Sequence, residues 1–237
     1  MNRYASLVLL AALGSVPAGA AEALKPFQAT YNVVWHSMTA GTMQLDLALD
    51  AEHRYVYTSR ANARGIFHMI FSEEIRQTSW FTLGDTGVQP TRYRGDDGTD
   101  DTKRDIALDF DWAAGRVTGV AEQKPVDLAL VPNAQDVMSI QMAHIYDLQR
   151  SAKIGSYSIV DKDRVKEYTY ISEGPARIKT AIGELDTVVW RVERGTSSRR
   201  ITRTWHAPSL DYLPVRAERV KDGSREWLME IRELKRQ

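Results

Sequence analysis

The sequence predicts a mainly β protein: a large antiparallel, strongly curved sheet or half-open barrel with one long amphipathic helix. Three observations predict it. Two segments alternate apolar and polar residues with period two, as strands with one buried and one wet face do. Residues 42–50 place Met43, Leu45, Leu47 and Leu49 on one side against Gln44, Asp46 and Asp50. Residues 105–112 set Ile106, Leu108, Phe110 and Trp112 against Asp105, Asp109 and Asp111. Turn signals such as Asp50-Ala51-Glu52, Ala113-Ala114-Gly115, Gly183-Glu184 and Asp222-Gly223-Ser224 punctuate the chain. Finally, a single stretch departs from this pattern and carries helical periodicity.

In chain order, the first twenty residues read as a cleaved leader. Arg3 supplies the positive start, residues 5–16 are uncharged and apolar, and Pro17-Ala18-Gly19-Ala20 ends in an Ala-x-Ala site. The apolar run is short for a membrane-spanning helix, which needs roughly 20 residues. The competing reading is an N-terminal anchor. Cleavage after Ala20 leaves 217 residues, read as one β-rich domain over 21–237. Beyond the two alternating segments, strands are expected at 27–36, 54–63, 75–83, 89–95, 115–121, 157–161, 166–172, 176–181, 185–194, 199–206, 213–220 and 226–234. The helix is expected over 134–150, capped from Pro132-Asn133. Its apolar face comprises Val137, Met138, Ile140, Met142, Ile145 and Leu148, with Asp136 and Arg150 favourably placed on the helix dipole. Many antiparallel strands without interleaved helices argue against βαβ winding. A lone amphipathic helix then buries its apolar face on the concave side or open end of the sheet.

Composition narrows the function classes. The 237 residues carry 31 Lys+Arg and 31 Asp+Glu, 43% apolar and 26% charged residues, and no cysteine. Balanced charge disfavours a nucleic-acid surface. Without cysteine there is no disulfide, thiolate metal site, cysteine nucleophile or lipidated cysteine. The leader implies an exported, periplasmic protein, and no later segment resembles a transmembrane helix. No glycine-rich phosphate loop occurs.

Short motifs carry a family resemblance. Gly41, Arg64-Gly65, Gln135-Asp136-Val137-Met138-Ser139, Trp205-His206-Ala207-Pro208-Ser209 and Tyr212-Leu213-Pro214-Val215-Arg216 with Asp222-Gly223 resemble the family catalogued as domain of unknown function 3108. The resemblance spans nearly the whole mature chain. It implies a Gram-negative periplasmic β-rich protein, and it carries no catalytic residues across.

No constellation specifies catalysis, a cofactor or a resident metal. The histidines at 36, 53, 68, 144 and 206 form no His-x-His or His-x-x-x-His pair. His144, between Met142 and Ile145, reads as a hydrogen-bonded packing residue. No Gly-x-Ser-x-Gly elbow occurs, and Asp136 with Ser139 reads as a helix-capping corner. Asp96-Asp97-Gly98-Thr99-Asp100-Asp101 lacks calcium-loop spacing and reads as an acidic hairpin loop. Arg191, Arg194, Arg199, Arg200 and Arg203 read as wet-face residues paired with neighbouring acids, against the alternative of a patch for anionic headgroups.

The least regular segment is Gly65-Ile66-Phe67-His68-Met69-Ile70-Phe71. It either plugs one barrel end or lines a ligand cavity. In the second reading Ile66, Phe67, Met69 and Phe71 join Met138, Met142 and Ile145 of the helix around a lipid-like guest, since thioethers adapt to varied shapes. The resulting expectation is a non-catalytic envelope protein binding a lipid or other apolar small molecule. The alternative is an envelope scaffold with a filled core that docks another protein; an exported hydrolase has the least support.

Overall fold

The structure, a computed structural model, describes residues 24–69, 71–84, 86–99, 102–151, 153–193 and 199–236. The leader expected over residues 1–20 lies outside the described residues, as do Ile70, Asp100, Asp101 and Arg194.

Fourteen strands form one antiparallel sheet: β1 Phe27–Trp35, β2 Met38–Leu49, β3 Tyr55–Ala63, β4 Ile75–Gly84, β5 Gly87–Asp96, β6 Ile106–Asp111, β7 Arg116–Ala121, β8 Lys124–Ala129, β9 Ser156–Asp161, β10 Arg164–Thr180, β11 Gly183–Glu193, β12 Arg200–Ala207, β13 Leu213–Lys221 and β14 Ser224–Arg236. Their order is β8-β7-β6-β5-β4-β3-β2-β1-β14-β13-β12-β11-β10-β9. Every connection between sheet neighbours is a hairpin except the one at the centre, where β1 pairs β14 from Phe27↔Arg236 to Trp35↔Trp227. The sheet does not close, since β8 and β9 are its two edges.

Alternation bends this sheet around one oily side. Phe27, Ala29 and Tyr31 of β1, Leu45 and Leu47 of β2, Tyr55 and Tyr57 of β3, and Leu213 and Val215 of β13 are buried in a common core. Register shifts at Thr30/Tyr31, Val33/Val34, Trp80/Phe81, Ser172/Gly174, Trp205/His206 and Arg219/Val220 add local bend and twist. Gly41 is required by close strand approach, because a Cβ there would lie 2.0 Å from the Asn62 carbonyl oxygen.

The helix departs from expectation in extent and in surroundings. α1 spans Ser139–Gln149, and its buried residues include Ser139, Ile140, Met142, Ala143, His144, Ile145, Tyr146 and Leu148. Far from showing one face to water, it is covered almost all round by the concave sheet. Both halves of the sheet hold it: the Tyr57 hydroxyl of β3 donates to Gln141 Oε1 at 2.9 Å, and the Tyr157 hydroxyl of β9 donates to Asp147 Oδ2 at 2.7 Å. Residues 134–138 are not helical because they have another task. Gln135 N–H donates to the Ser158 carbonyl, Val160 N–H donates to the Gln135 carbonyl, and Gln135 Nε2 donates to the Val88 carbonyl. This segment thereby straps edge strand β9 to β5 across the open side. No helix among the described residues is long and apolar enough to cross a membrane.

Two strands differ from the sequence reading. β8 went unpredicted because Pro125 interrupts it, which an edge strand tolerates. Residues 166–172 and 176–181 belong to one strand, β10, despite Gly174 and Pro175. β9 pairs β10 only over Arg164–Thr169, leaving that side of Pro175 with no ladder to break.

Candidate functional site

Beside the N-terminal half of α1 the sheet leaves a cavity of about 380 Å3, within the range of small-molecule sites, roughly 300–1,000 Å3. The helix region contributes Val137, Met138, Ile140, Gln141 and His144. β2 contributes Met43 and Leu45, β10 Tyr168 and Tyr170, and β14 Trp227 and Met229. Polar groups converge among them: Ser59, Gln77, Asp161, Thr202, Thr204 and His206. The lining contains no lysine or arginine.

Local chemistry at the start of α1 fixes the helix against this space. Asp136, completely buried, accepts the backbone amides of Met138 and Ser139 on Oδ1 at 2.7 and 2.8 Å. Its Oδ2 accepts the Ser79 hydroxyl of β4 at 2.6 Å, and its own N–H donates to Ser139 Oγ at 2.9 Å. The reciprocal bonds are those of a capping box. The capping role expected of Asp136 and Ser139 is what the geometry displays, while Pro132-Asn133 sits in the preceding turn instead of at the cap. Burial raises the Asp136 carboxyl above the usual carboxylate range, and the four donated or shared hydrogen bonds partly offset that.

Two histidines far apart in the sequence meet at the cavity wall. The His144 and His206 ring centroids are 4.9 Å apart, and both residues are buried. His206 Nδ1 lies 2.9 Å from the Tyr212 carbonyl oxygen, so it carries the proton and the neutral ring keeps Nε2 as an acceptor. Burial lowers His206 to about 4. His144 is held well below its usual value by burial and then by His206. Contrary to the hydrogen-bonded role expected of it, His144 has no partner for either ring nitrogen among the described residues. It is instead boxed in by aromatic rings, with Tyr170 at 4.5 Å, Trp190 at 5.1 Å and Tyr157 at 6.3 Å. Among the described residues no hydrogen bond joins either imidazole to a serine or carboxylate, which is the contact an activated nucleophile requires.

The sequence-predicted residues divide between two places. Met138 lines the cavity. Met142 and Ile145 pack one turn further on, beside a crevice of about 10 Å3 with Phe27, Leu47 and Leu213. Ile66, Phe67 and Met69 form a short 3-10 turn, Gly65–Met69, with Ile66 63% and Met69 85% exposed. That turn and Phe71, which follows it, do not line the cavity. The predicted site left out most of the lining, including Met43, Tyr168, Tyr170 and Met229, and it did not bring His144 and His206 together. A weak signal existed: Gln141 and His144 place two polar groups one helical turn apart on an apolar helix, and Thr202, Thr204 and His206 share one face of β12.

Other charged features are internally paired. A more open groove of about 710 Å3 on the outer face of β3–β7 is lined by Arg60, Arg76 and Arg94, which pair with Asp46, Glu74 and Asp109. Arg191 and Arg203 share Glu173, Arg200 pairs with Glu226 and Arg199 with Asp222. Asp96, Asp97 and Asp105 bring carboxylate oxygens within 4.8 Å of one another. Asp96 and Asp97 there accept the amides of Gly98 and Thr99, as turn residues do.

Comparison with known proteins bears on the fold. Residues 30–230 match the family described as protein of unknown function, DUF3108. No curated protein matches the chain. Among solved structures, the fold is similar to a β-barrel-like protein of domain of unknown function DUF1849 from Brucella abortus, at 11% identity and a TM-score of 0.58, covering 90% of this chain and 98% of that one. MucB is similar at 10% identity and a TM-score of 0.37, covering 91% of this chain and 55% of that one. The first likeness shows a shared fold alone.

Proposed function

We propose that this chain, which belongs to the DUF3108 family, is a non-catalytic protein of the periplasmic envelope that holds a lipid-like or other apolar guest inside its curved sheet. The export address rests on the leader-like composition of residues 1–20. Residues 21–237 act on this reading as one β-rich unit. The observation that carries the proposal is the cavity of about 380 Å3 between α1 and the concave sheet; a smaller and more polar space of about 220 Å3 lies between β5 and β9, beside Ala143, Asp147 and Tyr157. The 380 Å3 space opens in part to solvent, and its size and its lining by Met43, Met138 and Met229 suit an apolar occupant. The catalytic alternative lacks a histidine hydrogen-bonded to a serine among the described residues, and the Ser79–Asp136 pair is completely buried in the helix cap.

Organic extraction and mass spectrometry of the gently purified protein test the reading. A copurifying apolar molecule is expected, and Met138→Trp should expel it by filling the space. That variant should keep its thermal transition within a few degrees, because the added ring enters a void instead of a packed site. Absence of any bound molecule, together with failure to take up added apolar probes, would leave a scaffold with a self-filled core.

A further inference from the structure

We infer that the cavity's guest is an amphiphile with an uncharged, hydrogen-bonding head, and that His144 and His206 read that head. The inference rests on the carrier reading above and specifies its ligand class. His144 is 2% exposed and lines the cavity, yet neither of its ring nitrogens has a partner among the described residues. A buried polar group left unpaired is costly, and native interiors keep few of them without cause. Trp190 packs its ring edge-on against His144 from outside the cavity lining. His206, with Nδ1 committed to the Tyr212 carbonyl, offers Nε2 as an acceptor. A neutral His144 ring brings one donor and one acceptor to the wall and His206 Nε2 a second acceptor, the complement of a hydroxyl or amide.

Charge selects among heads. With no lysine or arginine in the lining, an anionic head would meet neutral imidazoles and the carboxylate of Asp161. Asp161 is itself engaged by Lys166, so a cationic head finds no free counter-ion there. An aliphatic tail fits among the methionine, leucine and isoleucine side chains. At about 30 Å3 for each water-sized unit, the volume suits a guest of about a dozen heavy atoms.

The test is a series with one tail: decane, 1-decanol, decanoate and decylammonium, titrated into the full chain at neutral pH. Native mass spectrometry and tryptophan fluorescence read occupancy. Decanol should bind about tenfold more tightly than decane and than either ion, the worth of one satisfied hydrogen bond. His144→Phe keeps an aromatic ring in the cluster; it should weaken decanol about tenfold and leave decane unchanged. Equal binding of decane and decanol, or tightest binding of either ion, would overturn the inference while the carrier reading stood. So would a His144→Phe variant that holds decanol as wild type does. If no member of the series binds at all, the carrier reading itself fails and takes this one with it.

Discussion

His206 shows how one side chain couples the cavity wall to solution conditions. Its ring is buried, donates a hydrogen bond from Nδ1–H to the Tyr212 carbonyl and is lowered from 6.5 to about 4 by burial. A histidine depressed in the folded state contributes stability that is complete above its unfolded value and lost as pH falls through the folded one. The window therefore runs from pH 6.5 down to about 4. At about 1.36 kcal/mol per unit the loss from this ring alone is about 3 kcal/mol, and the depressed His144 acts in the same direction. Asp136 and Asp147, both raised by burial, act oppositely and blunt the slope. His206→Asn keeps a donor near Nδ1 and does not titrate. Urea melts at pH 7 and pH 4 should show wild type losing about 3 kcal/mol more than this variant; parallel losses would refute the assignment. None of this was legible from spacing. His144 and His206 were each visible as lone histidines, but their partnership depends on α1 lying against β12, which no local pattern encodes.

At the scale of elements, α1 owes its position to its first turn. Its residues 139–149 are buried nearly all round, so apolar periodicity alone does not set its rotation. The Asp136 carboxylate does, by joining two amides of the turn to Ser79 of β4. Asp136→Ala removes the cap and orphans three buried donors, for an expected loss of about 3 kcal/mol in chemical denaturation. Asp136→Asn retains an acceptor and should lose less than half as much. A loss below about 0.5 kcal/mol for the alanine variant would show that packing, not the cap, orients the helix. The strands were mostly legible because period-two burial is local: Met43, Leu45 and Leu47 face inward as the alternation implies. β8 and the join within β10 were not, since Pro125 and Pro175 look like breaks. Whether a proline breaks a strand depends on whether a neighbour needs its missing N–H, and sheet order decides that.

The whole molecule is a meander in cyclic order. Read from β9 through β14, across to β1 and on to β8, every strand pairs the next one antiparallel. The edges lie mid-chain, joined by the stretch that carries the β5–β9 strap and α1. Joining Arg236 to Leu24 by a short linker, with new termini at 151 and 153, keeps every strand pair intact, because Phe27 already opposes Arg236. This permutant should fold with the wild-type circular dichroism spectrum and melt in a single transition. A molten spectrum or a split transition would mean that the order of synthesis, not strand pairing, governs the fold. Folding itself should be slow, as pairing β1 with β14 closes nearly the whole chain.

Alternation, turn chemistry and the cysteine-free, charge-balanced composition determined that the chain forms a one-sided antiparallel sheet with a lone helix, since those preferences act between residues close in sequence. Tertiary structure alone decided that the helix lies wrapped inside the sheet, that Gln135 straps the edge strand β9 to β5, and that His144 and His206 meet beside a void. It also left Ile66 and Met69 outside, exposed on a surface turn. The reason is physical: a strand's pattern specifies which face is oily, but only the curvature accumulated over fourteen strands specifies what that face encloses.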